Sequence, residues 1–201
     1  MLLAERSVHV WRANLSVPVP DAEAILSAEE VARAERFRLP QVRDRWVRAR
    51  ALLRTLLARY VDVDPASVQF AAGEHGKPHL AEEGQLFFNV SHADDLALFA
   101  FARGAVGVDV EVTRTGIDVI AIAERALGLA EAERLRTLDR AEREREFLRA
   151  WVRHEAVLKC RGSGMGGDLD ANGLWISELD VGPGVAAALA YDGPAPQLSL
   201  Y

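Results

Sequence analysis

The eight residues from 105 to 112, A-V-G-V-D-V-E-V, constrain the fold of this chain more than any other stretch. Valine alternates with other residues throughout, and a period of two is typical of a pleated β-strand with one face in the core. The opposite face carries Asp109 and Glu111, so both carboxylates project from the same side. Two like charges this close repel each other, which predicts a cationic partner for the pair.

Length and composition fit a protein with a core of ordinary size. The chain has 201 residues, half of them hydrophobic, which allows one large domain or two smaller halves. Its single cysteine, Cys160, excludes an intramolecular disulfide and gives no indication of secretion. We see no signal peptide and no run of roughly 20 apolar residues, so we expect a cytoplasmic protein without membrane association.

The formal net charge of −6 disfavours nucleic-acid binding, but the charge is unevenly distributed. Residues 33–59 contain nine arginines and only two acidic residues. This excess predicts an anion site, although a solvated helix face explains most of these arginines. The chain has two lysines, Lys77 and Lys159, which are candidates for positions that need a compact point charge.

Hydrophobic periodicity predicts a chain that contains both helices and strands. The expected helices cover residues 28–38, 42–60 and 118–127, with a charged helix system from 130 to 160. The expected strands cover 7–12, 67–70, 86–92, 96–102 and 105–112, of which the last three form an antiparallel meander because short turns join them. A loop at 161–167 precedes a tail, 174–201, of two or three strands that we expect to complete the sheet of the second half.

A third carboxylate would complete an oxygen site with Asp109 and Glu111. In W-V-R-H-E-A-V-L-K, residues 151–159, Glu155 and Lys159 lie on one helix face because they are four residues apart. Mg²⁺ takes oxygen ligands and often shares them with substrate phosphates, so Glu155 is a candidate ligand and Lys159 a candidate phosphate contact. An ordinary Glu–Lys surface pair is the commoner origin of this spacing.

Two further segments fit a phosphate ligand. N-V-S-H places Ser91 and His92 where a predicted strand ends, on a rigid frame. G-K-P-H, residues 76–79, places Lys77 on a loop that Pro78 restricts. A polar surface histidine and a simple turn are the alternatives.

Taken together and in chain order, G-K-P-H, F-N-V-S-H, G-V-D-V-E and W-V-R-H-E-A-V-L-K resemble the motifs of the 4'-phosphopantetheinyl transferases. Those motifs are a Gly-Lys-Pro loop, a Ser-His strand end, a Gly-x-Asp-x-Glu strand and a Trp-x-x-Lys-Glu-x-x-x-Lys helix. The length resembles the longer type, named for the surfactin-synthetase activator. The resemblance implies a monomer with two similar α+β halves about a pseudo-twofold axis, for which we predict the boundaries 1–104 and 105–201.

The resemblance also implies roles for individual residues. Asp109, Glu111 and Glu155 would hold Mg²⁺, or Mn²⁺ as a substitute, and the metal would bind the pyrophosphate of coenzyme A. The residues expected to contact coenzyme A are His92 and Lys159 at the pyrophosphate, Lys77 and Pro78 at the adenine, and Arg33, Arg45 and Ser91 at the 3'-phosphate.

The implied reaction is Mg²⁺-dependent transfer of the 4'-phosphopantetheine arm of coenzyme A to a serine of an apo acyl or peptidyl carrier protein, with release of 3',5'-ADP. The carrier could serve fatty-acid, polyketide or nonribosomal-peptide synthesis. Glu155 is the expected general base, with Glu133 as the rival, while Lys159 and His92 would neutralise phosphate charge. Two alternatives stay open: a Mg²⁺-dependent phosphohydrolase that activates water, and a module that binds coenzyme A without reaction.

The sequence departs from the family pattern at two positions. His154 stands where the family usually has a lysine, so we expect a charge near the phosphate that depends on pH around the ordinary histidine pKa of ~6.5. Glu30 stands where a basic residue often contacts the ligand. Neither departure affects the expected metal ligands.

Overall fold

The computed structural model describes residues 1–73, 77–81, 86–113, 116–164 and 170–201. Gly76 of the G-K-P-H motif and residues 165–167 of the expected loop lie outside these ranges. The α-helices are α1 (Ala28–Ala34), α2 (Pro40–Val61), α3 (Val119–Ala126), α4 (Leu129–Arg136) and α5 (Arg140–Arg161). The strands are β1 (Ser7–Asn14), β2 (Phe70–Ala72), β3 (Pro78–Leu80), β4 (Phe87–Ala93), β5 (Leu96–Ala102), β6 (Val106–Val112), β7 (Leu174–Glu178), β8 (Val185–Asp192) and β9 (Gln197–Leu200). The predicted α+β class is confirmed.

The N-terminal half is built on a sheet with the strand order β4-β5-β1-β9. The long helix α2 covers one face of this sheet because its apolar residues recur every three to four positions. Leu53 and Leu57 of α2 share a buried cluster with Phe99 and Phe101 of β5. The helix predicted for residues 42–60 is therefore present, and it begins with Pro40 in its first turn, where a proline is well tolerated.

The C-terminal half repeats this arrangement with a sheet of order β6-β8-β7, in which all neighbours are antiparallel. The long helix α5 packs on its outer face, where Val152 and Ala156 contact the alanines of β8. The inner faces of the two sheets pack against each other through a shared core that includes Val10, Leu98 and Val108. The protein therefore has four layers, a helix, two sheets and a helix, and the two halves follow a similar order.

Side chains of β4 join the two halves along the edge of β6. The N–H of Val108 donates to Asn89 Oδ1 at 2.9 Å, and the N–H of Val110 donates to Ser91 Oγ at 3.3 Å. These bonds satisfy backbone groups that would otherwise be buried without a partner at a strand edge. They also fix Ser91 beside the strand that carries Asp109.

Gly107 lets α5 approach β6 closely. A Cβ atom at this position would lie 2.1 Å from the carbonyl oxygen of Ala156 and 2.3 Å from the amide nitrogen of Cys160, distances that no side chain can occupy. The contact brings the helix face that carries Glu155 and Lys159 beside β6. The glycine of the G-V-D-V-E motif is thus required by packing.

Two predictions about strand pairing are wrong. β6 is not the third strand of a meander, because it pairs with β8, whose small alanine side chains leave room for α5. The tail does not end in the second sheet: β7 and β8 join it, but β9 runs parallel to β1 in the first sheet. The boundary between residues 104 and 105 stays a prediction. None of the described helices is both long and apolar enough to cross a membrane.

Candidate active site

Asp109 of β6 is the centre of a polar cluster at the junction of the two halves, and the residue is only 4% exposed. Ser91 Oγ donates to Asp109 Oδ1 at 2.8 Å, and the ammonium group of Lys159 donates to the same oxygen at 2.5 Å. Lys159 also donates to Ser91 Oγ at 3.0 Å. Three of the predicted site residues, from β4, β6 and α5, are therefore joined by direct hydrogen bonds.

The second carboxylate oxygen of Asp109, Oδ2, is buried and has no hydrogen-bond partner among the described residues. An unpartnered buried carboxylate oxygen costs free energy because it has lost its water without a replacement. A hard divalent cation would satisfy this oxygen. Asp109 therefore fits the role of a metal ligand.

Glu155 and Glu111 are the other two predicted metal ligands. Burial raises the pKa of Glu155 and the charge of Asp109 raises it further, while Lys159 lowers it. The carboxylates of Glu155 and Asp109 are thus close enough to repel each other. Glu111 follows two residues along β6 and is partly exposed.

In this structure, the three predicted carboxylates are not arranged as a metal-binding group. Within the described ranges, no group of three His, Cys, Asp or Glu side chains is placed to hold a metal ion. The cation that contacts Asp109 is the ammonium group of Lys159. The cationic partner that the sequence predicts for this strand is therefore supplied here by a side chain of α5.

Lys77 fixes the G-K-P-H segment to the same region. Its ammonium group donates to the carbonyl oxygens of Lys159, at 2.5 Å, and Val106, at 3.2 Å. A cation is favourable at the C-terminal end of a helix, where carbonyl groups lack partners. Burial lowers the pKa of Lys77. The two lysines of the chain thus meet at one place, and the expected contact of Lys77 with adenine stays a prediction.

Other predicted residues lie outside this cluster. His92 is exposed because it projects from the face of β4 opposite to Ser91. The side chain of Glu133 on α4 is 71% exposed and pairs with Arg136 at 2.6 Å. Arg45 of α2 pairs at 2.7 Å with an aspartate in the turn between β4 and β5. Their expected roles stay predictions.

His154 lies on a different side of α5 from the carboxylate cluster. Its ring stacks against Trp151, with 6.3 Å between the ring centroids, and lines a cavity of about 540 Å³ between α4, α5 and β7. Burial lowers the pKa of His154, so the ring carries little positive charge at neutral pH. This placement does not support the expected charge of His154 near a phosphate.

A second candidate region is an open groove of about 870 Å³ between α1, α2 and the β2–β3 hairpin. Its lining combines guanidinium groups with aromatic rings, from Arg33, Arg36, Arg50, Phe37, Trp46 and Phe70. The guanidinium group of Arg33 lies 5.5 Å from the ring centroid of Trp46. Pro78 also lines the groove. Two predicted contacts of coenzyme A, Arg33 and Pro78, therefore share one concave surface.

Sequence reasoning does not single out Arg50, although it lines this groove. The available signal is its spacing of four residues from Trp46, which places both side chains on one face of α2. The resemblance points instead to Arg45, which lies on a neighbouring face of the helix and pairs elsewhere.

Comparisons with known proteins agree with the family resemblance that the motifs indicate. Residues 105–195 match the model of the 4'-phosphopantetheinyl transferase superfamily, and residues 11–103 match the model of the N-terminal region of 4'-phosphopantetheinyl transferases. The 4'-phosphopantetheinyl transferase HetI of Nostoc sp. is 38% identical over 173 residues, which cover 82% of this chain and 73% of HetI. This chain belongs to the 4'-phosphopantetheinyl transferase family.

Two further relatives broaden the match. The 4'-phosphopantetheinyl transferase AcpT of Escherichia coli K12 is 33% identical over 159 residues, 78% of each chain. The 4'-phosphopantetheinyl transferase Sfp of Bacillus subtilis is 26% identical over 148 residues, 74% of this chain and 65% of Sfp. The resemblance to the longer, Sfp-like type is confirmed, and with it the enzyme class and the α+β fold with two halves.

Proposed function

We propose that this transferase moves the 4'-phosphopantetheine arm of coenzyme A to a serine of an apo acyl or peptidyl carrier protein and releases 3',5'-ADP, with Mg²⁺ as the metal. Membership of the family supports the transfer and the kind of acceptor. One observation carries the metal part of the proposal: the buried carboxylate of Asp109 has one oxygen without a partner, next to Glu155 and Lys159.

Asp109, Glu111 and Glu155 would hold Mg²⁺, or Mn²⁺ in its place. When bound, the metal supplies a Lewis acid that neutralises charge on the pyrophosphate of coenzyme A. Lys159, which pairs with Asp109 without a ligand, would then donate to phosphate oxygens, where charge-assisted bonds are strong. Ser91 would keep Asp109 oriented through its hydrogen bond.

Glu155 is the proposed general base for the hydroxyl of the acceptor serine. A glutamate with a raised pKa accepts a proton more readily than an ordinary one, and burial beside Asp109 raises the pKa of Glu155. The rival Glu133 is exposed and already paired with Arg136, which makes it a weaker candidate.

The arginine-lined groove is the proposed site for the nucleotide end of coenzyme A. Arginines recognise phosphate through a planar fork of donors, and aromatic rings can pack on a purine. Arg33 and Pro78 would contact the ligand there. Arg45, Lys77, Ser91 and His92 remain proposed contacts of coenzyme A that depend on the family resemblance.

The experiment that tests this function is intact-mass analysis of a panel of apo carrier proteins, with and without Mg²⁺. We expect a mass gain of one phosphopantetheine on at least one carrier, and only with coenzyme A and Mg²⁺ present. No gain across several carriers would count against the proposal. Free phosphopantetheine formed without a carrier would indicate a phosphohydrolase, and tight binding of coenzyme A without transfer would indicate a binding module.

A monomer, a cytoplasmic location, and no binding of nucleic acid or membranes are our predictions from the sequence.

A further inference from the structure

Glu30 is a buried acid that lines the arginine-rich groove, and the residue is 7% exposed. Both of its carboxylate oxygens are paired. Arg50 Nε donates to Oε1, and Arg54 Nε donates to Oε2 at 2.6 Å. The N–H of Ser27 also donates to Oε2, at 2.8 Å, as part of a capping box. Burial would raise the pKa of Glu30, but these donors outweigh burial and lower it, so the carboxylate is charged at neutral pH.

The two arginines bound to Glu30 are used differently. Arg54 is buried, and its Nη1 donates to three backbone carbonyls in residues 65–68, which makes it part of the core. Arg50 has one hydrogen bond among the described residues, from Nε to Glu30, and its guanidinium lies 4.0 Å from the ring centroid of Phe70. Its terminal N–H groups therefore remain for a ligand of the groove.

We propose that Arg50 recognises a phosphate on the nucleotide end of coenzyme A, and that Glu30 is the positioning residue that holds Arg50 in place. The inference rests on the proposed function because it takes coenzyme A as the ligand. It also explains the acid at position 30, where a basic residue is common in the family. In this chain the cation comes from α2, and residue 30 orients it.

Rigidity is the reason why Arg50 suits this role better than a free surface arginine. A guanidinium held by a carboxylate on one side and an aromatic ring on the other loses little conformational entropy when an anion binds. Arg33 and Arg36 add positive charge to the same groove, which favours a ligand with an additional phosphate over one without it.

The test compares the binding of coenzyme A and dephospho-coenzyme A, which lacks the 3'-phosphate, by calorimetry with Mg²⁺ present. The matched control is Arg43→Gln, because Arg43 lies on the same helix but outside the groove lining and pairs with Glu23 near the surface. We expect Arg50→Gln to weaken the binding of coenzyme A by roughly tenfold or more and the binding of dephospho-coenzyme A by less than about twofold. Arg43→Gln should change neither by more than about twofold.

Glu30→Gln should also reduce the preference for coenzyme A over dephospho-coenzyme A. In a protein that already carries Arg50→Gln, it should cause no further reduction of that preference. This non-additivity distinguishes a residue that acts through Arg50 from one that merely stabilises the fold. Glu30→Gln also disturbs Arg54, so this variant could fail to fold. Arg50→Gln keeps the Glu30–Arg54 pair, so this variant alone tests whether Arg50 recognises the phosphate.

The proposal is wrong if Arg50→Gln weakens both ligands equally or neither, or if the wild-type protein binds the two ligands equally well. Transfer to a carrier protein is measured in parallel. Transfer that persists while Arg50→Gln leaves discrimination intact overturns this inference and leaves the proposed function standing. A wild-type protein that neither binds coenzyme A nor transfers from it overturns both.

Discussion

Glu30 and Asp109 are both buried acids bound to a cationic side chain of a long helix, one in each half of the protein. Glu30 has both oxygens paired with arginines of α2. Asp109 has one oxygen paired with Lys159 of α5 and one without a partner among the described residues. Both carboxylate oxygens of Glu30 thus have partners without a ligand, whereas among the described residues only one oxygen of Asp109 does. We infer that the groove is preformed for its anion and that a bound ion completes the site at the junction.

Replacing Asp109, which has one carboxylate oxygen without a partner among the described residues, should have the largest effect on activity. Asp109→Ala should lower the rate of phosphopantetheine transfer by roughly a hundred- to a thousandfold, because a proposed metal ligand is lost. The measurement is intact mass of a carrier protein over time, with circular dichroism to check the fold. Glu133→Ala is the control and should stay within about threefold of the wild type. Normal turnover by Asp109→Ala would remove the metal assignment.

The close approach of α5 to β6 is tested by Gly107→Ala. The added Cβ would collide with the backbone of α5, so we expect a loss of about 3 kcal/mol in the free energy of unfolding, measured with urea. Gly104→Ala is the matched control, because the nearest atoms to its Cβ would be side-chain atoms of Tyr191 at 3.3 Å and 3.4 Å and the carbonyl oxygen of Asp192 at 3.5 Å. We expect this control to lose less than about 1 kcal/mol. Equal losses would mean that the packing at Gly107 does not hold the helix in place.

Because both oxygens of Glu30 are paired with arginines, we expect the stability lost in Glu30→Gln to depend on pH. The donors around Glu30 lower its folded-state pKa, so its contribution to stability is present above the ordinary glutamate value of 4.5 and is lost as the pH falls through the lower folded-state value. We expect a loss of about 2–3 kcal/mol at pH 7 that shrinks in that acid range, measured by urea unfolding.

The exposed neighbour Glu29 provides the control for this prediction. Glu29→Gln should change the free energy of unfolding by less than about 0.5 kcal/mol. A loss for Glu30→Gln that stays constant from pH 7 into the acid range would show that the charge of Glu30 does not stabilise the fold.

Replacing Lys159 tests whether its ammonium group competes with a metal ion at Asp109. Because its ammonium group contacts Asp109, it competes with any metal ion for that carboxylate. Lys159→Met should therefore bind Mn²⁺ roughly three- to tenfold more tightly than the wild type when coenzyme A is absent, as measured by electron paramagnetic resonance. Arg153→Met, an exposed position on the same helix, should have no effect. Weaker Mn²⁺ binding by Lys159→Met would exclude competition.

Local patterns in the sequence predict a large part of this fold. The apolar stripe of α2 and the alternating valines of β6 identify a helix and a strand because each pattern has the period of its structure. The spacing of Glu155 and Lys159 predicts that both lie on one face of α5, and in the structure Lys159 contacts Asp109. The ordered motifs identify the family, which local periodicity could not do.

Partners far apart in the chain are what the sequence does not predict. Nothing in the alternation of β6 selects β8 over β5, and nothing in the tail indicates that β9 pairs with β1. The pair of Glu30 and Arg50 joins residues on two different helices, so neither helix pattern reveals it. The sequence leads us to expect Lys159 on the helix face that carries Glu155, but it does not reveal that the ammonium group of Lys159 bonds directly to Asp109 Oδ1.

The measurement closest to the central claim is a Mn²⁺ titration followed by electron paramagnetic resonance, with and without coenzyme A, on the wild-type protein, Asp109→Ala and Glu155→Gln. We predict that coenzyme A tightens Mn²⁺ binding by the wild type about tenfold or more, because the pyrophosphate shares the ion and gives Lys159 another partner. Both variants should lose this tight binding. Equal Mn²⁺ affinity in all three proteins with coenzyme A present would contradict a metal held by the acids of β6 and α5.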